Sequence, residues 1–158
     1  MNTEDIINGR QVFLGVSARD KADVLAFVAE KAVELGVADD ADGLVADLAH
    51  REEQMATGLA GGFAIPHAKS AHVLRPGVVY VSLSEPVSWS SFDSSSLDVS
   101  RLFALLVPAG EAGTTHLELL SKLAVCLIDE GFCERVRSIA DPTELATFLR
   151  ESVEAAGE

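Results

Sequence analysis

The sequence predicts a layered α/β domain. Short apolar runs of strand character alternate with longer stretches of helical periodicity, and most helical stretches open on a recognisable capping signal. The run Arg101 to Val107 (RLFALLV) is continuously apolar past its arginine, the pattern of a central strand covered on both faces.

Taken in order, Gln11 to Val16 (QVFLGV) reads as a strand with Val12, Leu14 and Val16 on one face. Ser17 to Asp20 forms a capping box, and Val24, Phe27, Val28, Ala32 and Leu35 recur behind it at helical spacing until Gly36 stops the helix. Asp39-Asp40 can cap a second helix, with Leu44, Val45, Leu48 and Ala49 facing inward and His50, Arg51, Glu52 and Glu53 in its last turns. The glycines of Thr57-Gly58 and Gly61-Gly62 lead into the apolar Phe63-Ala64-Ile65, which stops at Pro66-His67. Val78 to Ser84 alternates as a strand, with Pro76-Gly77 in front and Pro86 behind. The serine-rich segment Ser88 to Ser100, carrying Trp89 and Phe92, reads as a short strand or turn region in a surface hairpin.

After the central strand, Pro108 to Thr114 is a loop. Thr115-His116-Leu117-Glu118 is another capping box, opening a helix with Leu120, Leu123, Ala124 and Leu127 along its stripe and Gly131 at its end. A short helical turn covers residues 133–139. Asp141-Pro142-Thr143-Glu144 then caps a last helix that buries Leu145, Phe148, Leu149 and Val153.

No repeat or linker divides the chain, and 158 residues with 48% apolar content suffice for one domain with a proper core. No apolar run approaches the ~18 residues of a membrane span, and MNTEDIINGR lacks the basic and apolar regions of a signal peptide. A cytoplasmic protein without membrane insertion is expected. The net charge of −13 argues against a nucleic-acid partner, which needs a basic patch, and suits a basic protein partner. Cys126 and Cys133 have neither zinc spacing nor a disulfide framework and read as reduced, buried thiols.

The stretch Arg51 to His72 concentrates the candidates for chemistry. His67 follows a proline at the mouth of a buried run, so it is expected to be presented and not packed. Imidazole is a good nucleophile that titrates near neutral pH. A lone histidine is more often structural, but glycine-rich loops are where catalytic groups gather. If Thr115 caps its helix, His116 sits beside unpaired N–H groups, an anion-binding setting that also disfavours imidazolium. Its plain alternative is a surface histidine at a helix start. Arg51 can serve as a guanidinium fork for a phosphoryl group, or as a helix-end charge paired with Glu52 or Glu53. His72 and His67 could share a metal, but no acidic or thiol ligand stands at a recognisable spacing; His50 reads as solvated. No Gly-x-Ser-x-Gly, P-loop or HExxH motif is present. A histidine, a second histidine at a helix start and an arginine suit covalent transfer of an anion.

Arg51-Glu52, Thr57-Gly58, Leu59, and Ala64-Ile65-Pro66-His67-Ala68, with Pro108 and the helix-opening His116-Leu117 downstream, resemble the IIA domain of the bacterial phosphotransferase system, fructose–mannitol type (EIIA type 2). The resemblance covers residues 4–152. Phe63 departs from it, since a smaller aliphatic residue is usual there, and implies local repacking.

The resemblance implies a single-domain layered α/β fold with a central mixed β-sheet flanked by helices. It implies that His67 is phosphorylated and that Arg51 and His116 support the phosphoryl group. The donor it implies is the histidine phosphocarrier protein HPr. The acceptor is the cysteine of a IIB domain with a IIC permease downstream, so Cys126 and Cys133 are not implicated. No metal or cofactor is called for, because the phosphoryl group passes between nucleophiles without a nucleotide. Uptake of fructose or a related sugar is the leading expectation. A nitrogen-type regulatory IIA, signalling through partner proteins, is the alternative. A metal-dependent hydrolase built on His67, His72 and His116 is a third reading, disfavoured by ligand count.

Overall fold

The computed structural model describes the chain apart from residues 1–5, 60, 92, 94, 111–113 and 157–158, and apart from the side chains of residues 114–117, 119 and 120. The expected place of Phe92 in the hairpin, of residues 111–113 in a loop, and of Leu120 on a buried stripe lie outside the described residues.

Among the described residues, six strands form one mixed sheet: β1 (Val12–Val16), β2 (Gly58–Leu59), β3 (Phe63–Ala64), β4 (His67–Ser70), β5 (Gly77–Ser90) and β6 (Ser96–Pro108). The order is β1-β5-β6-β3-β2, with β4 also paired to β6. β5 and β6 are antiparallel, whereas β1 runs parallel to β5, and β3 and β4 run parallel to β6. The longer helices among the described residues are α1 (Lys21–Glu34), α2 (Ala41–Gln54), α3 (Thr114–Ile128), α4 (Glu130–Ser138) and α5 (Pro142–Ala156).

The alternation of β6 explains the layering. Leu102, Ala104 and Leu106 join Val79, Val81, Ala64 and the apolar residues of α1 and α2 on one face. Phe103 and Leu105 join Tyr80, Phe63, Ile65 and residues of α3, α4 and α5 on the other. Every residue from Leu102 to Leu106 is fully buried, so this strand is covered on both faces as its sequence suggests. Phe63 fits by stacking on Phe103 at 6.1 Å between ring centroids, with the Arg137 guanidinium over its own ring.

Helix ends follow local chemistry. Asp20, Asp40 and Asp141 accept hydrogen bonds from the backbone N–H groups of Asp23, Gly43 and Glu144. At the end of α1, Gly36 takes φ +76°, and the amides of Val37 and Gly36 bond the carbonyls of Ala32 and Val33, which is the Schellman arrangement.

Several local expectations fail for identifiable reasons. The expected capping box of Ser17 is absent; Asp20 itself caps α1, and Ser17 meets Ser84 across the sheet edge. A bulge between Phe13 and Val16, with Gly15 at φ +69°, turns Val16 away from Val12 and Leu14 and onto the α1 side with Phe13. Pro86 does not end β5, because a second irregularity between Ser82 and Val87 accommodates it. The Ser88–Ser100 segment does form the expected hairpin, but its arms are the paired ends of β5 and β6 and they bury Trp89 and Val99. Gly131 lies inside α4, whose cap is Asp129. On α3 the buried residues among those described are Leu123 and Cys126, with Ala124 turned to solvent. No helix among the described residues is long and apolar enough to cross a membrane.

Candidate functional site

Helix α2 and strand β4 meet at the site. Asp47, His50, Arg51 and Gln54 recur at i, i+3, i+4 and i+7, which puts them on one face of α2. With His67, Ala68 and Lys69 of β4 they line a cleft of about 340 Å³. The adjoining stripe of the same helix, Leu44, Leu48 and Glu52, is buried.

His67 is buried, with 5% of its surface exposed, and not presented at a loop tip as the proline ahead of it suggested. Pairing explains the difference. β3 meets β6 at Phe63↔Arg101, and β4 resumes at His67↔Leu105 with the register unchanged. Pro66 thus interrupts a single strand line without displacing it, and its carbonyl still accepts from the Leu105 N–H at 2.9 Å. The imidazole is a strand side chain whose edge reaches the cleft.

Hydrogen bonds define its tautomer. Arg51 Nε lies 3.1 Å from His67 Nε2, and a guanidinium can only donate, so Nε2 carries a lone pair. The ring proton is therefore on Nδ1, which donates to the Ile65 carbonyl at 3.0 Å. Burial pushes the His67 pKa below its ordinary value, the Ile65 carbonyl opposes that, the Arg51 charge lowers it further and Glu52 raises it. The site holds a neutral imidazole with its nucleophilic nitrogen toward the cleft and a guanidinium one hydrogen bond away. That arrangement can accept an electrophilic anionic group and hold its oxygens.

Arg51 also reaches Gln54, from Nη1 to Oε1 at 3.5 Å, and Gln54 Nε2 lies 3.2 Å from His50 Nε2. It does not take the helix-end pairing with Glu52 considered from sequence, because Glu52 turns inward. There the carboxylate accepts from the Thr57 hydroxyl and from the Thr57 N–H at 3.3 Å. Trp89 Nε1 donates to the same hydroxyl at 3.3 Å, and the Thr57 carbonyl accepts the Ile65 N–H at 3.1 Å. Sequence reading missed Glu52 as a buried group, although its place one turn beyond Leu48 on an apolar stripe is a usable signal.

The strands at this end need glycine. A Cβ on Gly58 would stand 2.6 Å from the Ser90 carbonyl oxygen, and Gly61 and Gly62 both take φ +87° in the β2–β3 turn.

Of the remaining histidines whose side chains are described, His50 reaches the cleft and His72 does not. α3 starts at Thr114, so Thr115 is its second residue and not its cap, and His116 is its third. The His116 side chain lies outside the described residues. His72 meets Asp39 at 3.3 Å by the start of α2, and His50 is exposed at the cleft rim. Among the described residues no group of three or more His, Cys, Asp or Glu could hold a metal ion. Cys126 and Cys133 are free and buried, and burial raises both thiol pKa values.

Residues 5–152 match the family model described as phosphoenolpyruvate-dependent sugar phosphotransferase system, EIIA 2. The fructose-specific EIIA component of the phosphotransferase system of Haloferax volcanii is 32% identical over 134 residues, 85% of each chain. The 2-O-alpha-mannosyl-D-glycerate-specific EIIABC component of Escherichia coli is 28% identical over 149 residues, 94% of this chain; the chain spans only 22% of that relative's length. The crystal structure of the nitrogen regulatory protein IIA-Ntr from Neisseria meningitidis is similar with a TM-score of 0.82 at 28% identity, covering 92% of this chain and 97% of that one. With residues 5–152 matched by the family model and the fold shared with IIA-Ntr, the chain belongs to the EIIA type 2 family of the phosphoenolpyruvate-dependent sugar phosphotransferase system.

Proposed function

We propose that this chain is a phosphoryl carrier that takes a phosphoryl group onto His67 Nε2 from the phosphohistidine of HPr and passes it to the cysteine of a IIB domain. The observation that carries the reading is the fixed tautomer: Nδ1–H is held by the Ile65 carbonyl, and the Nε2 lone pair faces Arg51 and the cleft. In the first transfer the bond from phosphorus to the donor nitrogen breaks as the bond to His67 Nε2 forms. Arg51 gives up its bond to the imidazole and donates to a phosphoryl oxygen instead. In this reading His116, a residue of the first turn of α3, is the further donor to the phosphoryl group. The protein supplies position and charge to a loose phosphoryl group, which is the larger part of such catalysis. In the second transfer the nitrogen–phosphorus bond breaks as a IIB thiolate attacks, and His67 returns to its neutral form.

The carrier unit is residues 4–152, acting in the cytoplasm, and the name of the E. coli relative, which joins A, B and C components, supports a IIB acceptor. Uptake of fructose or a related sugar is favoured by the Haloferax relative. A regulatory role, with the phosphorylation state of His67 controlling partner proteins, is favoured by the likeness to IIA-Ntr.

Incubation with phosphoenolpyruvate, enzyme I and HPr should label the wild type once and leave His67→Ala unlabelled. Full labelling of that folded variant would refute the assignment. Discharge of the label by a IIB domain separates uptake from regulation.

A further inference from the structure

We propose that Glu52 and Thr57 are positioning residues for His67, acting through the Ile65 carbonyl that holds its Nδ1–H. The proposal rests on the carrier reading of His67 for its kinetic consequence, though its geometric content stands apart from that reading.

A carboxylate 6% exposed on the apolar stripe of a helix is costly unless donors surround it. Glu52 receives both donors of one residue, the N–H and hydroxyl of Thr57, which is itself buried. The Thr57 hydroxyl has one proton, given to Glu52, and its oxygen accepts from the buried Trp89 indole, so its rotamer has no freedom. Thr57 then holds Ile65 through its carbonyl, and Ile65 holds the imidazole through its own, at 3.1 and 3.0 Å. The links pass through different peptide groups, so the connection is mechanical and not a proton relay.

What makes the clamp more than scaffold is where it starts. Arg51 and Glu52 are consecutive on α2, one turned to the cleft and the other to the core. The same helical turn thereby sets the guanidinium and, through Thr57 and Ile65, the imidazole it faces. Their 3.1 Å separation is fixed from both sides. The charge of Glu52 also favours a proton on the His67 ring and so opposes Arg51. That matters once Nε2 bears phosphorus while Nδ1 keeps its hydrogen, because the ring is then cationic.

The test compares Thr57→Val, which keeps shape and loses the hydroxyl, with Thr57→Ser, which restores it, and with Glu52→Gln. The readouts are the ¹⁵N ring shifts of His67, which report its tautomer, and the single-turnover rate of transfer from phosphorylated HPr. The expected result is a mixed tautomer in folded Thr57→Val with transfer slowed roughly tenfold to a hundredfold, and return of both toward wild type in Thr57→Ser. If valine prevents folding, Glu52→Gln carries the comparison with the same expected result. An unchanged tautomer and rate in a folded variant would overturn the proposal. A wild type that takes no label on His67 would instead overturn the carrier reading, and the tautomer comparison would still decide the positioning role.

Discussion

Replacing Arg51 by alanine should slow phosphoryl transfer without removing the nucleophile. Arg51 Nε stands 3.1 Å from His67 Nε2, so a phosphoryl group on that nitrogen places its oxygens within one charge-assisted hydrogen bond of the guanidinium. Loss of one such preorganised donor costs about 10²–10³ in rate. The cleft opens to solvent and Arg51 is only partly buried, so water replaces part of the interaction and the lower end applies, roughly 10²-fold or about 2.7 kcal/mol. Lysine keeps the charge but loses the planar fork, so Arg51→Lys should recover only part of the rate. The assay is rapid-quench single turnover with phosphorylated HPr over a range of donor concentrations, so that the transfer step is read apart from donor binding. His67 should remain titratable in the variant, with its pKa moved upward because a neighbouring positive charge is gone. A transfer step within threefold of wild type would remove Arg51 from the phosphoryl site.

Further outcomes follow from burial and close contact. His67 should titrate below the usual histidine value of about 6.5, as read by NMR. Because the folded pKa is depressed, the unfolded chain binds the proton first, so this group's contribution to stability is present above about pH 6.5 and is lost as the pH falls from there. Tyr80, the only tyrosine in the chain, has its pKa pushed up to about 12 by burial, with Arg101 opposing. Ultraviolet titration should show its phenol ionising well after a model tyrosine, with about 2–3 kcal/mol of stability lost as the pH rises from about 10 through that value. Gly58→Ala should destabilise the fold by about 1–3 kcal/mol in denaturant titration followed by Trp89 fluorescence, since the new methyl meets a backbone oxygen.

Two helix starts are plainly legible in the sequence, because a cap is a contact between residues two or three apart. Asp40 and Asp141 behave as their spacing suggests, and even where Ser17 is displaced the replacement, Asp20, is three residues away. The buried run of β6 is equally plain, since a strand apolar on both sides has only one place in a layered fold. Features that depend on pairing are less legible. The bulge at Gly15, the continuation of β5 past Pro86 and the burial of His67 all follow from register against a neighbour far along the chain. Local sequence at Pro66-His67 suggests an end to the strand. Only the shared register of β3 and β4 on β6 makes His67 a core-facing strand residue with a cleft-facing edge.

The site shows the same division. Arg51 and His67 are sixteen positions apart, and motif resemblance pairs them before geometry does. Glu52 is hidden because an acidic residue near a helix end has an ordinary explanation at the surface. Its partner Thr57 comes from a turn, and Trp89 from a strand read as surface hairpin.

The central claim is that Nε2 of His67 is the phosphoryl acceptor, and NMR of the phosphorylated, ¹⁵N-labelled protein tests it most directly. Coupling between phosphorus and the His67 ring should place the phosphoryl group on Nε2, with the proton retained on Nδ1 against the Ile65 carbonyl. A phosphoryl group on Nδ1, or on a residue other than His67, would contradict the account.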